Sequence, residues 1–177
     1  MAELVVRTAA EADLAAVTSL LARCIADMRR RGIDQWDDLY PTPERFESDL
    51  SAGSLYVGSW EKKVVGAFTL DEKQDPEYST VHWSITAARV AVVHRLMVDP
   101  VLQRQGIARA LMAFAEQLAR DLGCTAIRLD AFSQNPQALG LYRTLAYRDA
   151  GEVHFRKGRF RCFEKELKVS NEPLRAP

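Results

Sequence analysis

HRLMVDPVLQRQGIARALMAFAEQLARDLG, residues 94–123, is the stretch whose reading decides the fold. It contains the end of a strand over residues 90–98, a break at Asp99-Pro100, a short polar loop, and a helix stopped by Gly123. Proline cannot donate to a strand ladder, and the residue before it is pushed out of helical geometry, so the break is local. Apolar residues at 107, 111, 114, 115, 118 and 122 recur at helical spacing. Gly123 supplies the left-handed residue on which helices commonly end. Between strand and helix lies Gln103-Arg104-Gln105-Gly106-Ile107-Ala108. Small residues at 106 and 108 let backbone N–H groups come close to a ligand. The unpaired N–H groups of the helix's first turn, together with its dipole, favour phosphate. Arg104 adds a charged contact.

The 177 residues fit one domain with a real core. A composition of 47% apolar and 27% charged residues is ordinary for a globular protein. With 24 basic and 24 acidic residues, nothing suggests an electrostatic grip on nucleic acid or on an anionic membrane. Cys24, Cys124 and Cys162 are widely spaced, with His82, His94 and His154 beside them. That set argues against a metal cluster and for buried free thiols in a reducing compartment. The N-terminal residues lack a signal-peptide core, and no run approaches the roughly 18 apolar residues of a membrane span. The expected location is cytoplasmic.

Outward from the opening stretch, residues 4–7 suit a strand, and Thr8-Ala9-Ala10-Glu11 reads as a capping box for a helix with Leu14, Val17, Leu20, Leu21, Cys24, Ile25 and Met28 on one side. Arg29-Arg30-Arg31 before Gly32 complements that helix's dipole. Residues 33–40 form an irregular segment with Trp36, Tyr40 and three acids, and this segment is a candidate substrate lip. Thr42-Pro43 opens a second helix that stops near Gly53. Residues 55–60 and 64–70 form a hairpin. Residues 80–88 suit either a flap or an extension of the next strand. Past Gly123 come a strand over 125–129, a loop over 130–134, a helix opened by Asn135-Pro136 and running to Leu145, and a last hairpin around Lys157-Gly158. A single domain over residues 1–168 is expected, with a flexible tail at 169–177. The order β-α-α-β-β-β-α-β-α-β-β calls for a mixed sheet with helices on both faces.

Gln103-x-x-Gly106-x-Ala108 after a strand ending in Val98-Asp99-Pro100 resembles the acetyl-CoA-binding motif of the GNAT superfamily of N-acetyltransferases. The segment from Asn135 through Ala138, Leu141 and Tyr142 to Tyr147 is similar to a second GNAT signature, with Ala146 where the family has glycine and Gly140 placed mid-helix. A mid-helix glycine costs about 1 kcal/mol. Asn135 and Tyr142 stand two helical turns apart and share a face. The element order matches as well, so the resemblance covers nearly the whole chain. It implies an α/β GNAT fold, a mixed, mostly antiparallel twisted sheet of about 6–7 strands with helices on both faces.

The resemblance further implies direct transfer of an acetyl group from acetyl-CoA to a primary amine of a small molecule or a peptide. Tyr142 would be the general acid for the leaving thiolate, which is sensible because phenol and thiol titrate within about two units of each other. Asn135 would hold the donor's arm. Leu96, Met97 and Val98 would pair with the pantetheine through their backbone and polarise the thioester oxygen. The pyrophosphate would lie on Gln103, Arg104, Gln105, Gly106, Ile107, Ala108 and Arg109. A homodimer through the last hairpin is a further implication of the family.

The acceptor amine, with an ordinary pKa of about 10.4, needs a proton acceptor. His94, on the central strand, is one candidate, since imidazole titrates near neutrality. Asp34, Asp37 or a water held by backbone carbonyls are the others. Asp34, Trp36, Tyr40 and Trp83, with Tyr78, are candidates for the acceptor pocket. The alternative is that Trp36 and Trp83 fill gaps between helix and sheet. A non-catalytic acyl-CoA-binding module is the rival function, and it would have no use for the acid. A dinucleotide oxidoreductase is excluded, because no G-x-G-x-x-G follows the first strand.

Overall fold

A computed structural model describes residues 4–168; the tail expected at 169–177 lies outside them. The elements follow the expected order: β1 (Val5–Thr8), α1 (Leu14–Arg30), α2 (Pro43–Ser51), β2 (Leu55–Trp60), β3 (Lys63–Asp71), β4 (Val90–Val98), α3 (Ile107–Asp121), β5 (Ala126–Phe132), α4 (Pro136–Thr144), β6 (Arg148–Phe155) and β7 (Gly158–Glu166). They build one seven-stranded sheet in the order β1-β2-β3-β4-β5-β7-β6. Every neighbouring pair is antiparallel except β4 and β5, which the α3 crossover makes parallel.

Strand alternation sorts the core into two layers. Leu55, Val57 and Ala67 face the buried side of α1, where Val17, Leu20 and Leu21 lie. Tyr56 and Phe68 face α3, against Leu111 and Ala115. Helix α3 sits so close to the sheet that a Cβ on Gly66 would lie 2.7 Å from Leu111 Cδ1, which is why that strand position is glycine.

On β4 the alternation changes phase. Val92 and Met97 share the α1 layer, whereas Ala91, Val93 and Val98 share the α3 layer. An even-numbered and an odd-numbered residue can share a face only if the strand gains a residue between them. The gain is a bulge: Thr69 pairs with His94 and Ala67 with Met97, so Arg95 and Leu96 together oppose Phe68. Arg95 takes the left-handed conformation, φ +52°.

Three local expectations are corrected. Thr8 does not cap α1, because it is paired with Tyr56 as the last residue of β1. Asp13 takes the capping role, accepting from the Ala10 N–H at 2.8 Å while it pairs with Arg7 at 2.7 Å. Strand β5 runs on to Phe132 rather than ending at Leu129, because Asp130, Ala131 and Phe132 keep their register with Cys162, Arg161 and Phe160. Residues 80–88 do not extend the next strand. After a 3-10 turn at Pro76–Thr80 they run irregularly, pinned where buried Glu164 accepts from the N–H of Ser84 (2.8 Å) and of Ile85 (3.2 Å).

Candidate active site

Strands β4 and β5 pair only at Val90–Ala126, Ala91–Ile127 and Val92–Arg128. Beyond that point the bulge at Arg95 turns β4 away and the two strands separate. A buried ion pair fixes the bulge. The Arg95 side chain, 2% exposed, donates to Asp49 Oδ2 of α2 at 2.5 Å and to the Tyr40 hydroxyl at 3.0 Å. Asp49 also accepts from Thr69 Oγ1 at 2.8 Å. The separated strands enclose a cleft of about 920 Å³. The Asp99 N–H bonds to Val65 on the β3 side at 2.8 Å. Alternation therefore turns the N–H and C=O groups of Leu96 and Val98 toward the cleft. An extended chain entering it meets this edge of β4, where the Val98 carbonyl already lies 3.5 Å from Gln103 Nε2 and from Cys24 Sγ.

One end of the cleft is the start of α3. Arg104 (φ +64°) and Gly106 (φ +85°) are both left-handed, a turn that gathers successive backbone N–H groups into a concavity suited to an anion. The side chain of Gln103 braces the turn, accepting from Gln137 Nε2 of α4 at 3.0 Å and reaching the Val98 carbonyl at 3.5 Å. Gly106, Ile107, Ala108 and Arg109 line the cleft with Gln103 and Arg104, whereas Gln105 does not.

Helix α4 supplies the facing wall. Asn135 caps it, with Oδ1 accepting from the Ala138 N–H at 3.2 Å, while Nδ2 donates to Gln35 Oε1 at 2.9 Å. Tyr142, 6% exposed, packs between Tyr147 and Phe163, with ring centroids 5.9 and 5.7 Å away, and lines the cleft. Burial, together with the negative charge of Asp130, raises its hydroxyl well above the usual tyrosine range, so the proton is retained.

His94 and Asp130, both lining the cleft, can take up a proton. His94 Nε2 lies 3.1 Å from Asp71 Oδ1. With Nε2–H donating to that carboxylate, the lone pair of a neutral ring sits on Nδ1. Burial alone would raise the Asp71 carboxyl, but hydrogen bonds from His94 and from the Lys73 N–H outweigh it and hold Asp71 below its ordinary value. The second group, Asp130 on β5, was outside the sequence reading, which placed it in a loop. It lines the cleft, keeps part of its surface open, and accepts from the Tyr78 hydroxyl at 2.7 Å. Burial raises its carboxyl to about 6, against the lowering effect of that hydrogen bond. The sequence signal was the resumption of apolar residues, Ala131-Phe132, after the acid, which puts the acid inside the strand.

The expected acceptor residues divide. Trp36 and Tyr40 line the cleft. Trp83 does not: it packs on Tyr78 (5.1 Å) beneath the Arg128 guanidinium (4.1 Å), with Nε1 bonded to the Tyr78 carbonyl at 3.0 Å. Asp34 and Asp37 are likewise absent from its lining, because cations of the β6–β7 hairpin engage both: Lys157 lies 2.6 Å from Asp34, and Arg156 lies 2.7 Å from Asp37. Among the described residues no group of three or more His, Cys, Asp or Glu side chains could hold a metal, and no helix is long and apolar enough to cross a membrane.

Residues 21–147 match the model of the acetyltransferase (GNAT) family, and the chain belongs to that family. It is 33% identical over 101 residues to human N-acetyltransferase 8B, an alignment covering 57% of this chain and 41% of that protein. The chain thus spans less than half the length of the curated relatives it matches. Its fold is that of a GNAT-family acetyltransferase from Streptococcus agalactiae (TM-score 0.83, 19% identity, 93% of this chain and 96% of that one). The yncA protein of Salmonella typhimurium, solved with its cofactor acetyl-CoA, shares the fold at TM-score 0.68 and 18% identity over 98% of this chain and 99% of that one.

Proposed function

We propose that the chain transfers an acetyl group from acetyl-CoA to a primary amine of a small molecule or a peptide. One observation carries the reading: the bulge at Arg95 opens a cleft with an anion-binding turn at one end and a protonated tyrosine, Tyr142, in its wall. The residues suit the donor. The turn at residues 103–109 would take the pyrophosphate, and the edge of β4 at Leu96 and Val98 would pair with the pantetheine, leaving the thioester near Tyr142; Met97, expected to share that pairing, turns its backbone groups to β3 instead. Asn135, on the same wall, would steady the arm.

The neutral amine attacks the thioester carbonyl, and the C–N bond forms as the carbonyl electrons move onto oxygen. A backbone N–H on the open edge of β4 stabilises that oxyanion. Collapse breaks the C–S bond, and Tyr142 gives its proton to the departing sulfur. The proton lost by the amine goes to His94, oriented by Asp71, or to Asp130. Ionised above about pH 6, Asp130 can also hold the incoming ammonium. Trp36 and Tyr40 flank the acceptor's path. Asp34 and Asp37, with their carboxylates engaged by the hairpin, are the weaker candidates for holding the amine.

Buried free thiols at Cys24, Cys124 and Cys162 suit the reducing cytoplasm expected for the chain. Strand β6, last in the sheet, offers an edge for the homodimer the family resemblance implies. The test is an amine panel with acetyl-CoA, read by free-thiol release. Amine-dependent release supports transfer. Binding of acetyl-CoA with no release for any amine would instead point to a non-catalytic acyl-CoA-binding module.

A further inference from the structure

Antiparallel neighbours such as β3 and β4 need only a short turn between them, and a long irregular connection inside a compact domain calls for a reason. Residues 72–89 are such a connection. They lie on the face of β5 and β7 that carries Arg128, Asp130, Cys162 and Glu164. Two of those residues anchor the connection. Glu164, fully buried, accepts from the N–H groups of Ser84 and Ile85, and Arg128 lies over Trp83 while donating to Gln74 Oε1 at 2.7 Å. Trp83 in turn packs on the Tyr78 ring and donates to the Tyr78 carbonyl at 3.0 Å. Tyr78 is thereby fixed, 2% exposed, with its hydroxyl 2.7 Å from Asp130 Oδ2. Tyr78 itself does not line the cleft; Asp130 does, and so does Asp75 at the head of the 3-10 turn. Among the described residues Tyr78 is the only side chain that hydrogen-bonds Asp130, which leaves the Oδ1 lone pairs for a molecule in the cleft.

We propose that this connection belongs to the reaction centre and that Tyr78 is a positioning residue: by donating to Asp130 Oδ2, it holds the carboxylate ionised and keeps Oδ1 turned to the attacking amine. The proton that the amine loses as its C–N bond forms passes to Oδ1, and Asp130 returns it to solvent once the product departs; Tyr78 keeps its own proton throughout. The inference rests on the acetyltransferase reading and narrows its choice of proton acceptor to Asp130. A hydrogen bond donated to a carboxylate favours the charged form, whereas a neighbouring negative charge disfavours it. The connection supplies one of each, the Tyr78 hydroxyl and the Asp75 carboxylate, and both act on Asp130. The other groups that face Asp130 are His94 and Arg95 of β4, Tyr142 of α4 and Cys162 of β7. Burial raises the Asp130 carboxyl to about 6, and the Tyr78 bond keeps it from rising further, so the group is ionised at neutral pH. Burial, with the Asp130 charge behind it, pushes the Tyr78 hydroxyl well above its ordinary value, so it remains a donor.

Titration of Asp130 tests this without knowledge of the acceptor. The chain is labelled with isotope-enriched aspartate, the Asp130 carboxyl signal is assigned by its loss in Asp130→Asn, and its midpoint is followed by NMR. Tyr78→Phe, which keeps the ring, is expected to raise the midpoint by about one pH unit or more. Asp75→Asn is expected to lower it by about half a unit. The catalytic readout is kcat/KM against pH with an amine that releases thiol from acetyl-CoA. Dividing each Tyr78→Phe value by that of the intact chain cancels the amine's own titration. A midpoint about one unit higher predicts a loss of about eightfold at about pH 5.5 and of less than about twofold at about pH 8.5. An equal loss at both pH values is what packing alone would give, and it would overturn the proposal, as would an Asp130 midpoint that Tyr78→Phe leaves in place. Should Tyr78→Phe fail to fold, ring-fluorinated tyrosine in place of tyrosine keeps the ring and strengthens the donor, and the midpoint should then fall. A midpoint that stays put under that replacement overturns the proposal equally. Absence of thiol release with every amine would overturn the transferase reading instead.

Discussion

The Tyr78 hydroxyl donates to Asp130 Oδ2 across 2.7 Å, tying the 3-10 turn ahead of the irregular segment to the middle of β5, inside the cleft. Burial raises the Asp130 carboxyl to about 6 in spite of that bond, and the nearby charge of Asp75 adds to the rise. An unfolded aspartate titrates near 3.9, so between about pH 4 and 6 the folded chain keeps a proton the unfolded chain has lost. Ionisation of Asp130 therefore erodes stability as pH rises through that window and costs nothing below it. Two units correspond to about 3 kcal/mol as an upper figure. Asp130→Asn keeps an acceptor for Tyr78 and removes the charge. Thermal unfolding should show it melting above the wild type at about pH 7.5 and level with it near pH 4.

The pair between Asp49 and Arg95 is buried on both sides, and Arg95 Nε already lacks a partner. Asp49→Ala would strand the guanidinium charge in the interior. A loss of about 3–5 kcal/mol is expected in urea unfolding. A loss under about 1 kcal/mol would mean that Arg95 finds water or a new partner on the cleft side.

Ala146, just past the end of α4, takes the left-handed conformation, φ +62°, at the position where the family resemblance implies glycine. The Tyr147 N–H closes back on the Tyr142 carbonyl at 3.0 Å, so the turn is made in spite of the Cβ. Ala146→Gly should relieve that strain and stabilise the chain by about 0.5–1 kcal/mol, after allowing for glycine's greater freedom when unfolded. Differential scanning calorimetry should register a rise of about 1–4 °C in Tm.

Tyr142→Phe removes the hydroxyl and little else. With an accepted amine, kcat should fall by about 100-fold or more, while stability changes by no more than about 1 kcal/mol. Turnover equal to wild type would show that the thiolate leaves without a proton from this residue.

The element order is legible in the chain because it rests on periodicity and on glycine and proline punctuation, whereas the two local signatures are legible through their resemblance to the GNAT family. What escapes such a reading is set by contacts distant in sequence. The bulge at Arg95 has no local signal: an arginine between His94 and Leu96 adopts a positive φ because Asp49, Thr69 and Tyr40 hold that region in place. Asp130 reads as the start of a loop until β7 is seen to pair straight past it. Asp34 and Asp37 read as carboxylates open to a substrate until the Arg156–Lys157 tip folds over them. Trp83 reads as a pocket aromatic, yet Tyr78 and Arg128 enclose it.

Titration with acetyl-CoA while following thermal unfolding tests the central claim most directly. A donor held by the turn at residues 103–109 and the open edge of β4 should stabilise the chain by about 2.7 kcal/mol at a hundredfold excess over Kd. For a chain of this size that is a Tm rise of about 5–10 °C. Gly106→Ala, which strains the left-handed turn, should weaken the response. No shift with acetyl-CoA at millimolar concentration would contradict the account.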